Sequence, residues 1–278
     1  MLTERFIPIN DITYHIRVIG IGEPVLLLHG FTGSGHTWNE LMETYKDMYR
    51  FIAVDLLGHG KTSAPNCHER YRMEEAADDL RAILDDLGLT RVHVLGYSMG
   101  GRLALGFAVR FPEYVMSLTL ESSSPGLPSA DEQEDRRKKD AALAARIEEI
   151  GVERFADEWS RIPLFATQET LPKEIKDRVR EERVSQRAAG LAGSLLGMGT
   201  GSQPSCWGEL AGLQMPVQLL AGELDSKFVR IAKQMADALP FPQISIIEGA
   251  GHAIHVEKPA EFGRIVVDYL KRRKYDGD

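Results

Sequence analysis

The chain reads as an α/β protein: a doubly wound, mostly parallel β-sheet with a helical cap inserted after the sixth strand. Three observations predict this. Through residue 126, short apolar and β-branched runs alternate with stretches of helical spacing, the rhythm of β/α units joined by right-handed crossovers. Between 127 and 206 that rhythm stops and charged helical segments take over; from 207 to 278 it resumes. The runs themselves, Val25–Leu28 above all, are apolar at successive positions, as strands buried on both faces require. The expected organisation is one core, 1–126 and 207–278, carrying a cap of 127–206.

Residues 5–19 alternate through Phe6, Ile7, Ile9 and then Ile12, Tyr14, Ile16 and Val18, which predicts an antiparallel hairpin around Asn10-Asp11. Pro24–Leu28 is the first fully apolar strand and breaks at His29-Gly30-Phe31-Thr32-Gly33-Ser34-Gly35. A helix from Thr37 and a strand over Arg50–Val54 follow. Arg72–Leu87 has an amphipathic helical pattern, and Val92–Leu95 is the next strand. Val115–Leu120 is the one after it, ending at Glu121-Ser122-Ser123-Ser124-Pro125-Gly126. The cap divides into helices over Asp131–Ile150, Gly151–Arg161 and Pro172–Ala189. Beyond it come a strand at Val217–Ala221, a helix from about Phe228 and a strand at Gln243–Ile247. Gly249-Ala250-Gly251-His252 then leads to a final helix over Pro259–Arg272.

Composition narrows the function classes. Of the 278 residues 43% are hydrophobic, ample for a core, and 41 acidic against 33 basic residues leave a net charge of -8. That sign argues against a general binder of nucleic acid or of anionic membranes. Cys67 and Cys206 form neither a disulfide framework nor a metal-ligand spacing. The start lacks a basic and apolar leader, and no apolar run approaches the ~20 residues that cross a bilayer. The expectation is a cytoplasmic protein, a monomer or small homo-oligomer. Gly60-Lys61-Thr62 after a strand suggests a phosphate loop, but the pattern needs glycine where Asp55 stands. With no dinucleotide fingerprint and no metal-ligand grouping, no cofactor and no metal are implied.

Chemistry concentrates at the predicted strand ends, where α/β sheets bind ligands. Gly96-Tyr97-Ser98-Met99-Gly100 lies between a strand and a helical pattern, the context in which Gly-x-Ser-x-Gly makes a nucleophile elbow. A serine hydroxyl needs an imidazole to take its proton, and the imidazole needs an acid to orient it. His252, at the tip of a glycine-rich loop, is the predicted base, with His255 its competitor; Asp225 is the predicted acid, with Glu223 its competitor. The chain order Ser98, Asp225, His252 is that of α/β-hydrolases. An oxyanion hole would then use the backbone N–H groups of Met99 and Phe31.

The Leu-His-Gly-Phe31 and Asp55-Leu-Leu-Gly-His-Gly runs, the elbow and Gly-His252 together resemble the α/β-hydrolase superfamily over essentially the whole chain. A narrower resemblance is to the MenH family, 2-succinyl-6-hydroxy-2,4-cyclohexadiene-1-carboxylate synthase of menaquinone biosynthesis. It rests on Ser98-Met-Gly-Gly-Arg102, Glu121-Ser-Ser-Ser-Pro-Gly-Leu, Phe155-Ala-Asp-Glu-Trp159 with Pro163-Leu164-Phe165, and Gly199-Thr-Gly-Ser-Gln-Pro. The resemblance implies a lyase that eliminates pyruvate from a small polycarboxylate, with Ser98, His252 and Asp225 acting in proton abstraction. A carboxylesterase or carbon–carbon bond hydrolase is the alternative on the same fold.

A polyanionic substrate calls for cationic hosts. Arg102, one helical turn past Ser98, can face the same pocket. The resemblance places a second carboxylate-binding arginine at Arg136 or Arg137, and a third at Arg183 or Arg187. Tyr97 flanks the nucleophile and Trp159 matches the family's cap tryptophan, so both are expected to line the pocket, although large aromatic side chains serve cores nearly as well.

Overall fold

The computed structural model describes residues 1–273. The expected hairpin is present: β1 (Thr3–Ile9) and β2 (Ile12–Gly20) pair antiparallel around Asn10. The remaining strands are β3 (Glu23–Leu28), β4 (Tyr49–Val54), β5 (Val92–Tyr97), β6 (Val115–Glu121), β7 (Val217–Gly222) and β8 (Pro242–Ile247). They form one sheet of order β1-β2-β4-β3-β5-β6-β7-β8, antiparallel where β2 meets its neighbours and parallel from β4 onward. From the β3/β5 contact the chain builds outward in both directions, so the crevice at that switch point lies at the carboxyl ends of β3 and β5.

Helices cover both faces: α1 (Asn39–Tyr45), α2 (Met73–Asp86) and α3 (Met99–Arg110) come before the cap. The expected helix from Thr37 begins instead as a short tight turn over Gly35–Trp38 that runs into α1. Period-two alternation divides the apolar strands between two cores. Leu26 and Leu28 of β3 pack with α2 and α3, while Val25 and Leu27 pack with α1 on the other face. Each fully buried aliphatic side chain contributes about 1.5–3 kcal/mol, so a strand apolar at every position is stabilised from both sides.

The cap opens with α4 (Ala130–Trp159), started by a capping box of Ser129 and Glu132 and broken at Gly151, whose φ is 77°. A short turn over Pro163–Thr170 and α5 (Lys173–Val184) follow. The single helix expected over Pro172–Ala189 ends at Val184, and a further helix, α6 (Ala188–Met198), was not anticipated. Ala144, Ile147, Phe155, Leu191 and Leu195 form the cap's own small core, against which Phe31 of the sheet domain packs. After β7 come α7 (Ser226–Ala238), α8 (Ile254–Glu257) and α9 (Pro259–Arg273). No helix among the described residues is long and apolar enough to cross a membrane.

Candidate active site

The elbow after β5 holds Ser98 at φ 52°, ψ -108°, a conformation that costs a non-glycine residue on the order of 1–3 kcal/mol. The turn persists because its neighbours leave no alternative. A Cβ on Gly96 would lie 2.4 Å from the Gly100 carbonyl oxygen, and one on Gly100 would lie 2.2 Å from that of Leu28. Glycine at both positions therefore lets α3 press against β3 and β5, with the Met99 amide at the helix N-terminus. The Ser98 N–H donates to the Glu121 carbonyl at 2.9 Å, which ties the elbow to β6.

Three side chains from three strand ends converge here. His252 Nε2 lies 3.1 Å from Ser98 Oγ, and His252 Nδ1 lies 2.7 Å from Asp225 Oδ2. The carboxylate only accepts, so Nδ1 carries the proton and Nε2 is left to accept from the serine hydroxyl. The other Asp225 oxygen accepts the Phe228 N–H at 3.3 Å, capping α7 and fixing the carboxylate. His252 is buried, with the Phe228, Tyr97 and Phe165 rings at 4.7, 5.4 and 6.1 Å. The two competitors are engaged elsewhere. His255 bonds Glu121 at 2.9 Å, and Glu223 accepts the Gly249 N–H at 3.0 Å.

Across from the elbow, the loop after β3 is set by His29. Its Nδ1 donates to the Gly30 carbonyl at 2.8 Å and its Nε2 accepts the Leu56 N–H at 3.0 Å, a pair of bonds that only neutral imidazole can make. Burial lowers the His29 pKa and so favours that form. The loop carries Phe31, which lines a cavity of about 550 Å³ together with Ser98, Met99 and His252.

The α/β hydrolase fold family matches this chain over residues 23–259. A Bacillus subtilis (strain 168) protein, provisionally named 2-succinyl-6-hydroxy-2,4-cyclohexadiene-1-carboxylate synthase, is 46% identical over 248 residues, or 89% of this chain and 90% of the relative. The structure of MenH from S. aureus superposes with a TM-score of 0.89 and 35% identity, covering 94% of this chain and 98% of that one. The chain belongs to the MenH family. Outside it, a malate-bound thermophilic esterase from Thermogutta terrifontis aligns with a TM-score of 0.84 and 27% identity, over 98% of this chain and 99% of that one. That likeness reflects a scaffold the MenH family shares with hydrolases.

Of the arginines singled out in the sequence, Arg102 and Arg136 line the cavity. Arg102 is half-buried and donates to the Met198 carbonyl at 2.8 Å and to Gln203 Oε1 at 2.5 Å, both neutral acceptors. Burial, reinforced by the neighbouring Arg136 charge, lowers its pKa to about 10. Arg136 pairs with Asp140 at 2.7 Å. Arg137 turns to Glu134 at 2.8 Å and to the Gly201 carbonyl at 2.9 Å, because consecutive helical positions point about 100° apart. Arg187 bonds the Gly60 and Thr62 carbonyls and latches the cap to the core, so neither it nor Arg137 lines this cavity.

Trp159 does line it, with the Phe31 ring at 5.5 Å and its indole nitrogen buried and without a hydrogen-bond partner among the described residues. Tyr97 and Arg183 instead line a second cavity, of about 380 Å³, that shares Phe31 with the first. Tyr97 is drawn there by ring packing on His255, 4.5 Å away. Arg183 sits 4.6 Å over the Phe165 ring and donates to Ser160 Oγ at 2.6 Å. Sequence reasoning missed Ser122 and Lys227 in the main cavity. Both follow strand ends, one directly after β6 and the other two residues past Asp225, and that position was the available signal.

Proposed function

We propose that this chain eliminates pyruvate from 2-succinyl-5-enolpyruvyl-6-hydroxy-3-cyclohexene-1-carboxylate, giving the 2,4-diene of menaquinone biosynthesis. The observation that carries this reading within the family is Arg102, a half-buried guanidinium that hydrogen-bonds no carboxylate among the described residues, one turn past Ser98 and lining the cavity. Desolvating a charge is costly unless a partner compensates it, and a substrate carboxylate supplies that partner. A site for neutral esters gains nothing from it.

Ser98, coupled to His252, takes the proton from ring carbon 2, alpha to the succinyl ketone. The electron pair forms the 2,3 double bond, the old 3,4 double bond shifts to 4,5, and the carbon 5–oxygen bond breaks. The departing enolpyruvate gains a proton and becomes pyruvate. In the transition state negative charge collects on the ketone oxygen, where the Phe31 and Met99 amides receive it; one such donor is typically worth 10²–10³ in rate. Asp225 stabilises the imidazolium. Arg102, with Arg136 beside it, receives carboxylates, and the Trp159 N–H is a further donor. The partner in this reading is a small polycarboxylate met in the cytoplasm.

The same hydrogen-bonded chain from Ser98 to Asp225 would serve ester or carbon–carbon bond hydrolysis, and the scaffold shared with the Thermogutta terrifontis esterase favours keeping that as the second reading. Incubation with the enolpyruvyl substrate, following pyruvate and the absorbance of the new diene, separates the two. The lyase releases pyruvate and turns over neutral aryl esters poorly, and Ser98→Ala or His252→Ala lowers kcat by orders of magnitude without additivity. Brisk ester turnover with no pyruvate from the wild type would establish the hydrolase instead.

A further inference from the structure

Behind His252 lies a second histidine–carboxylate pair that the reaction above does not use. Glu121, the last residue of β6, is fully buried. Its carbonyl holds the Ser98 N–H at 2.9 Å, while its Oε1 accepts the backbone N–H of His255 at 3.1 Å. His255 Nδ1 lies 2.9 Å from each carboxylate oxygen. One residue thus grips both partners of the Ser98–His252 pair. It holds the nucleophile through its main chain, and the loop bearing the base through its side chain, three residues past His252.

The sheet explains why such a tie is needed. Ser98 follows β5 and His252 follows β8, and these strands are separated in the sheet by β6 and β7. Ladder hydrogen bonds therefore do not set the 3.1 Å contact between Oγ and Nε2 directly. A second path runs through rings. Tyr97 pairs with Glu121 across the β5/β6 ladder, and its ring lies 4.5 Å from His255 and 5.4 Å from His252. Any shift of His255 presses on Tyr97, and through it on the base. A buried carboxylate is an expensive choice for a plain structural tie, since it must shed its hydration. What it provides is a charge-assisted, doubly engaged acceptor of the kind that fixes geometry.

We propose that Glu121 is a positioning residue for the Ser98–His252 pair, acting through His255. The inference rests on the reading of that pair as nucleophile and base, and deepens it. Glu121→Gln keeps the volume and one oxygen for the His255 N–H but removes the charge and the second acceptor. Ångström-scale misplacement in an active site costs up to about 10²-fold. We therefore expect kcat for pyruvate release to fall about tenfold to a hundredfold, with KM within about twofold and a melting temperature near that of the wild type. Deuterium at ring carbon 2 should then raise the isotope effect on kcat, because proton transfer has become slower. Labelling of Ser98 by a fluorophosphonate, which needs the serine–histidine pair but no lyase chemistry, should slow by a similar factor. His255→Gln, which disturbs the ring and spares the backbone bond, should show a smaller loss in the same sense, and carries the test if Glu121→Gln does not fold. Rates and labelling within about twofold of wild type would overturn the proposal, as would losses that track the melting temperature. Wild-type protein that labels rapidly but releases no pyruvate would refute the lyase reading alone, leaving Glu121 to be judged by labelling.

Discussion

Removing Arg102 tests the carboxylate clamp most directly, and the structure sets its magnitude. The guanidinium is half-buried against neutral acceptors, with the Arg136 charge opposing its own and the weaker Asp140 charge favouring it. A pKa drawn down from 12.5 to about 10 marks a desolvated cation whose charge its surroundings do not fully compensate. At neutral pH the group still carries its charge, so the free enzyme holds a cation short of partners. A bound carboxylate relieves that deficit through charge-assisted hydrogen bonds of about 1.5–3 kcal/mol. Arg102→Ala should therefore lower kcat/KM on the anionic substrate by roughly tenfold to a few hundredfold. Lysine should restore part of the loss, since it carries the charge without the planar fork.

Stability should move little, because the substitution deletes a desolvated charge along with its two hydrogen bonds. Pyruvate release measured beside the melting temperature, with a neutral aryl ester as control, checks the argument. Ester turnover, however slow, should be nearly unchanged by the substitution. Pyruvate kinetics within twofold of wild type would refute the clamp, and equal losses on both substrates would make Arg102 a scaffold residue.

Acid stability is the next prediction. Burial pushes the His59 pKa from 6.5 down to about 3, so the unfolded chain binds its proton first and stability falls as pH drops below 6.5. At pH 5 this group alone should remove about 2 kcal/mol relative to pH 7.5, read from urea unfolding at the two values; His59→Phe should flatten the difference. The other prediction concerns the cap. Glu182 of α5 accepts from the Ser34 N–H at 2.9 Å, Ser34 Oγ at 2.7 Å and Thr37 Oγ1 at 2.9 Å, on the loop that carries Phe31. Glu182→Ala should lose about 1 kcal/mol for each bond, lower the melting temperature by several degrees, speed proteolysis within α5 and raise KM. Unchanged proteolysis would show that the cap is held without this contact.

What could be read from the sequence was whatever local sterics or chain order dictates. The elbow was legible because only glycine tolerates the approach of Gly100 to the Leu28 carbonyl, and the order of Ser98, Asp225 and His252 needs no distances. The cap was legible because strand periodicity stops. Helix α6 was hidden for a related reason, working in the opposite direction. Its three glycines weaken any helical signal, yet each is where another segment crowds in: a Cβ on Gly190 would lie 1.9 Å from the Gly58 carbonyl oxygen, and those on Gly193 and Gly197 would meet Tyr71 at 2.6 and 2.4 Å. The destination of each arginine was beyond reach, since neighbours on one helix diverge: Arg136 to the cavity, Arg137 to Glu134 and Gly201. Glu121 stayed hidden because its significance is a relation between β6 and a loop 134 residues away. On the proposed reading, what separates this site from an esterase's lies in the lining of the cavity, above all in Arg102, a half-buried cation bonded only to neutral acceptors.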